Sequence, residues 1–165
     1  METVDLNKLR IISERKVYKI KYNSDEFMFR TPICITPFGV EKYSGKYVIN
    51  LEFDGSDEKS AEYISLIKDI EQLFSKIKTD YTIDAPPRFR IDIDKCFYIT
   101  SIKNRSICNK EIYHHRCHIL PTKIPLLTNM KGKYIVADIK LDYIWIHGDT
   151  YGLVWCVTDL DINDK

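Results

Sequence analysis

Three sets of side chains in this sequence have the types and spacing to do chemistry. His114-His115-Arg116-Cys117-His118, with Cys108 nearby, puts five soft donors within eleven residues, enough in kind for zinc. The spacing argues against it. Structural zinc sites bring two separated ligand pairs, and no second Cys-x-x-Cys or His-x-x-x-His pair lies elsewhere, so a solvated basic loop or ordinary strand residues account for the run better. Asp92-x-Asp94 and Asp159-x-Asp161 could pair as carboxylates around magnesium, as a metal-dependent nucleic-acid enzyme requires. Read as a strand, however, Arg88-Phe89-Arg90-Ile91-Asp92-Ile93-Asp94 sets both acids on one face with Arg88 and Arg90, which neutralise them. No phosphate-cradling glycine loop, Gly-x-Ser-x-Gly elbow or Cys-His signature is present, so no enzyme, cofactor or metal is expected.

The third set pairs aromatic faces with cations. Trp145 and Trp155 flank the turn His147-Gly148-Asp149-Thr150-Tyr151-Gly152, with Tyr143, Tyr151 and Lys140 around them. Aromatic and basic residues also interleave at Tyr18-Lys19, Lys21-Tyr22, Phe29-Arg30, Lys42-Tyr43, Lys46-Tyr47, Arg88-Phe89-Arg90 and Lys133-Tyr134. Stacking on rings together with phosphate neutralisation is the chemistry of a platform for unpaired bases. The competing account is that tryptophans in hairpins serve as core or cross-strand packing residues and that strands alternate aromatic and lysine anyway.

Composition sets the bounds. A chain of 165 residues fits one domain with a core of its own, taken here as residues 1 to 165 with a short acidic end at 159 to 165. The formal net charge is only +1, so any polyanion site must come from local segregation of Lys and Arg, as at residues 8 to 21 and at Lys131-Gly132-Lys133. Five cysteines form no pairing pattern and the amino terminus has no apolar leader, which points to free thiols in a reducing, intracellular setting. No apolar run approaches the roughly 18 residues that span a bilayer, so no membrane partner is expected.

The elements that must position these residues are mostly strands. Val17 to Tyr22 alternates as a strand, and Glu26 to Pro37 continues in β character as an edge strand or arm, because Pro32 and Pro37 cannot donate to a ladder. Lys46 to Phe53 is a strand with Tyr47, Ile49, Leu51 and Phe53 on one face. Residues 57 to 78 form the only persuasive helix, with apolar residues from Tyr63 to Ile77 at three-and-four spacing and a cap at Ser56 or Asp57. Arg88 to Asp94 reads as a strand, Phe97 to Ile102 as another, and 104 to 133 as irregular chain. Tyr134 to Asp161 closes as a hairpin through a five-residue connection, Gly148 to Gly152. The fold class is therefore mainly β, an OB-like barrel with one long packed helix, α+β by content.

The order of these segments carries a resemblance. Thr31-Pro32 and Thr36-Pro37, the Phe38-Gly39-Val40 corner with Tyr43, a helix through Ile64 to Phe74, and the closing Tyr151-Gly152-Leu153-Val154-Trp155 resemble the phage-type single-stranded DNA-binding proteins of nucleocytoplasmic large DNA viruses. The resemblance implies an OB-fold and sequence-independent coating of unpaired DNA in viral replication, recombination or repair. The setting would then be a viral factory in the host cytoplasm, or the nucleus. It also implies replication proteins as partners through the acidic end, although this chain stops at Asn163-Asp164-Lys165 instead of in a longer tail with an aromatic last residue. On this reading bases stack on Phe38, Tyr43, Trp145, Tyr151 and Trp155, while Arg30, Lys46, Arg88, Arg90, Lys131 and Lys133 neutralise phosphates. The alternative is a protein-interaction or scaffold module whose exposed aromatics bury against another protein or, in a homodimer, a second copy.

Overall fold

The computed structural model describes residues 5–43, 45–77, 84–119 and 130–163, apart from the side chains of Tyr43 and Ile91. In chain order the elements are β1 (Leu9–Glu14), β2 (Val17–Tyr22), β3 (Asp25–Arg30), β4 (Cys34–Thr36), β5 (Val40–Tyr43), β6 (Lys46–Asp54), α1 (Glu58–Ser75), α2 (Pro87–Ile93), β7 (Phe97–Ile99), β8 (Ile102–Ile107), β9 (Lys110–Ile119), β10 (Lys133–His147) and β11 (Thr150–Ile162). Five of the strands close on themselves: β4 pairs with β6, β6 with β9, β9 with β11, β11 with β10, and β10 returns to β4. Numbered along the chain these run 1-2-3-5-4-1, a five-stranded Greek-key barrel of the OB kind. β1, β2 and β3 form an antiparallel meander docked on the free edge of β10, where Asp138 to Leu141 pairs with β3 and Tyr143 and Ile144 with β2.

The barrel interior follows from period-two alternation. Ile49, Leu51 and Phe53 of β6 point inward with His115, Cys117 and Ile119 of β9, and Ile135, Ala137, Ile139 and Leu141 of β10 face them. α1 packs against this core through Tyr63, Ile64, Ile67, Ile70 and Phe74, the three-and-four stripe that its sequence predicts. Its amino end is capped by Asp57, whose carboxylate accepts from the Ser60 amide at 3.0 Å. Tyr63 stacks on Phe53 with ring centroids 4.6 Å apart and meets His115 Nδ1 through its hydroxyl at 2.7 Å. Two turns along, the buried Glu71 carboxylate accepts from the Ser101 amide at 2.6 Å, from the Ser101 and Thr100 hydroxyls, and from the Tyr98 hydroxyl. Burial raises the Glu71 pKa while those donors pull the other way, so the contact fixes the β7–β8 junction to the helix.

Several sequence expectations change. Arg88 to Asp94 is helix, not strand: Pro87 occupies the first helical position, and Phe89 and Ile93, four residues apart, are both fully buried. Phe89 packs edge-on to Tyr18 at 4.9 Å, and Arg88 meets Asp92 one turn on at 3.9 Å. The described chain thus has two α-helices, where one was expected. Pro32 and Pro37 flank β4 without interrupting it, so β4 is a barrel strand paired on both edges and not an arm. The preceding threonines explain the Thr-Pro pairs: Thr31 exchanges bonds with the Ala137 backbone, and buried Thr36 donates to the Met130 carbonyl at 2.5 Å. Residues 102–107 and 110–119 form a hairpin where irregular chain was expected, and β1 was overlooked. The final hairpin holds, but through a two-residue Gly148-Asp149 turn with Gly148 at φ +59°, not a five-residue loop. The expected loop around Pro121 and Pro125 lies outside the described residues, as does Asp164.

His115 gives the fold a pH dependence. The ring is fully buried, Nε2 has no partner, and burial alone lowers its pKa to about 3. The folded protein therefore keeps it neutral while the unfolded chain protonates below about pH 6.5, so stability falls as pH drops from there toward 3. At about 1.4 kcal/mol per pH unit the loss reaches about 3 kcal/mol by pH 4. Denaturant titrations of His115→Asn, which can keep a bond to Tyr63 but cannot titrate, should show a shallower decline between pH 6.5 and 4 than the parent.

Candidate nucleic-acid interface

In an OB barrel the second and third strands and the loops between strands one and two and between four and five make the ligand face. Here these are the outer faces of β6 and β9, the β5 connection, and the Gly148-Asp149 turn. β9 reads His114-His115-Arg116-Cys117-His118, and its pleat sends His115 and Cys117 into the core and His114, Arg116 and His118 out. The four soft donors on β9 are thereby split between two faces of a sheet, and Cys108 lies in the turn between β8 and β9. Among the described residues no group of three or more His, Cys, Asp or Glu side chains could hold a metal ion. The two acidic pairs are separated too: Asp92 accepts from Tyr18 beside Arg88, and Asp161 binds Arg30.

Across β6 the outward neighbours are Val48 beside His118, Asn50 beside Arg116 and Glu52 beside His114. A cleft of about 350 Å³ opens here, lined by Phe38, Glu41, Lys42, Val48, Asn50 and Arg116. Phe38 is 51% exposed and stands edge-on to His114 at 6.1 Å, while His114 Nε2 lies 2.9 Å from Glu52. The loop that carries Phe38 is fixed from behind. Gly39, at φ +65°, lets its backbone approach the Lys131 amide so closely that a Cβ there would sit 3.1 Å from it, and the Gly132 amide donates to the Thr36 carbonyl at 2.7 Å.

Beyond the cleft, the same outer face leads toward β10. His118 pairs across the ladder with Cys156, and Cys156 with Lys140. Lys46 Nζ reaches the Tyr143 hydroxyl at 3.5 Å, and Lys19 lies 5.6 Å from the centre of the same ring while bonding Asp142 at 2.9 Å. The His118 pKa is lowered, first by burial and then by Lys46 and Arg116, with Asp142 opposing. Beyond Tyr143, half-buried Trp145 lies across Gly152, where a Cβ would come within 2.7 Å of its Nε1 and of the Ile99 carbonyl oxygen.

Among the expected site residues, Phe38, Lys131 and Lys133 are brought together at the Gly39 corner, Lys46 lies in the groove, and Trp145 borders its far end. Trp155 and Tyr151 are corrections as stacking residues. Trp155 has no exposed surface and packs edge-on against His115 at 5.0 Å; Tyr151, 1% exposed, donates its hydroxyl to the Phe74 carbonyl at 2.8 Å. A ring without an accessible face has none to offer a base. Arg30 is held by Asp138 at 3.1 Å and by Asp161, which raise its pKa, and so spends its charge within the protein. Arg88 sits on α2 beside Asp92, and Arg90 lines a separate cavity between α2 and the Gly148-Asp149 turn. The Tyr43 side chain lies outside the described residues. The sequence reading assigns Arg116, His118 and Asn50 no part in a nucleic-acid site, while it sets Tyr143 beside the tryptophans. The alternation of the His114–His118 run was the signal for the first two.

No family model matches the chain, and no curated protein does. Among solved structures it is similar to gp2.5, a single-stranded DNA-binding protein encoded by bacteriophage T7, with a TM-score of 0.53 at 6% identity over 84% of this chain and 93% of that one. At this identity the likeness concerns the fold, which both chains share.

Gly152 is expected to be irreplaceable beneath Trp145. Gly152→Ala should overpack the site and lower stability by about 1 to 3 kcal/mol, with a changed near-ultraviolet circular dichroism signal from the displaced indole. An unchanged melting temperature would show that the indole is not held against that glycine.

Proposed function

We propose that this protein binds single-stranded DNA without sequence-specific chemistry, laying the strand along the groove from Phe38, across β6 and β9, to Tyr143 and Trp145. The observation that carries the reading is the make-up of this face: the exposed Phe38 ring at one end, half-buried Trp145 at the other, and Lys42, Lys46 and Arg116 on the same outer surface, which OB barrels give to oligonucleotides. The shared fold with a protein titled as a single-stranded DNA-binding protein supports it. Bases would stack on Phe38 and Trp145, and the cations would track the phosphates. Coating of unpaired strands in replication, recombination or repair, in a virus and within a reducing compartment, is the role that fits such binding. Contacts with replication proteins through the acidic end, and self-association, belong to the same proposal.

Fluorescence anisotropy with a labelled oligonucleotide at several salt concentrations tests it. Binding should weaken with salt, and Lys42→Gln or Lys46→Gln should each lower the log–log slope by about 0.7. Phe38→Ala should cost about 1 to 3 kcal/mol of affinity with little loss of stability. Trp155→Phe should do the reverse, since that ring packs the core. Salt-insensitive binding, or full affinity in Phe38→Ala, would place the strand elsewhere.

A further inference from the structure

A groove built for a polyanion should be poor in carboxylates, yet this one carries two beside its exposed ring. Glu41 lines the cleft under Phe38, and the Asn50 side-chain amide donates to it at 3.4 Å. Glu52 lies two residues from Asn50 on the same outward face and is oriented by His114 at 2.9 Å, the imidazole that Phe38 meets edge-on. A carboxylate near phosphate is repulsive unless the ligand brings a donor to it. The donors that a nucleotide can present next to a stacked ring are the exocyclic amino groups of adenine, cytosine and guanine and the ring N–H of thymine and guanine. Carboxylates accept from cytosine N4, whereas thymine's one donor, N3–H, lies between two carbonyl oxygens, which a carboxylate repels. The cleft, at about 350 Å³, has room for a base on Phe38.

We infer that the cleft beside Phe38 is a base-selective subsite in which Glu41, with Glu52 at its edge, favours bases carrying an exocyclic amino group over thymine. The inference rests on the groove reading above and adds a preference to it: the strand is held everywhere by rings and cations, and is discriminated at this one step. Because the acceptors are partly open to water, the preference is modest and additive to the phosphate contribution.

Competition between oligo-dC and oligo-dT of equal length, pyrimidines of the same ring size, tests it at one fixed salt concentration. The parent should bind oligo-dC about fivefold or more tightly than oligo-dT. Glu41→Gln and Glu52→Gln each replace an oxygen acceptor with an amide that can donate to a thymine carbonyl, so the ratio should fall toward one, mostly by weaker oligo-dC binding. Thermal denaturation of both variants confirms that they are folded. Equal affinity of the parent for the two oligomers would overturn the inference and leave the groove intact. A preference that survives in both variants would also overturn it, since other groups would then be reading the base. Binding of neither oligomer at low salt would remove the groove reading, and this inference with it.

Discussion

The continuous pairing of β10 is the constraint on which the rest depends. Its fifteen residues pair with β11 along one edge and, on the other, successively with β4, β3 and β2. Barrel closure comes from the first of those segments, and the docking of the amino-terminal meander from the other two. One strand can serve four neighbours only if it bends, and its ladder with β11 shifts register twice, between Asp138 and Ile139 and between Leu141 and Tyr143. The second shift leaves Asp142 as the extra residue, where Lys19 of β2 binds it at 2.9 Å and Lys140 at 3.8 Å. The bulge, the meander and the groove are thus tied at one point.

The same point sets the electrostatics. With a net charge of +1, attraction for a polyanion depends on where cations are left accessible. Arg30 is committed to Asp138 and Asp161 and Lys140 to Glu26, so much of the basic character of the sequence is neutralised inside the protein. Lys42 lies over the Tyr47 ring and Lys46 reaches the Tyr143 hydroxyl on the outer face, and the His118 pKa there is lowered first by burial and then by Lys46 and Arg116. A locally positive groove on a near-neutral protein favours binding that salt tunes strongly.

Behind the groove, the core plug of Tyr63, His115 and Trp155 keeps β9 and β11 rigid. Two polar atoms there, His115 Nε2 and Trp155 Nε1, have no hydrogen-bond partner among the described residues. That cost is borne by close aromatic packing with Phe53 and Phe29. Because alternate residues of β9 serve the core and the groove, the packing that buries His115 and Cys117 also presents Arg116 and His118.

Local periodicity was enough to read β6, α1, the closing hairpin, the barrel class and the mixture of aromatic and basic residues. These follow from the 2.0- and 3.6-residue repeats of single segments. It failed where two repeats fit the same letters, as in Arg88 to Asp94, whose Phe89 and Ile93 serve a helix as well as a strand. It failed also at hairpins whose turns lack glycine, as at Arg15-Lys16, where both residues take positive φ, so β1 passed unseen. Which aromatic faces reach the surface was decided only by the tertiary structure. Odd-numbered residues of β10 point inward up to Leu141; after the extra residue Asp142 the parity inverts, so Ile144 turns in and Trp145 turns out. On β11 Trp155 remains inward, under the barrel and against His115. The two-residue turn pairs Trp145 with Gly152, three residues from Trp155, so the two rings fall on opposite faces, and the bulge at Asp142 decides which of those faces is the core.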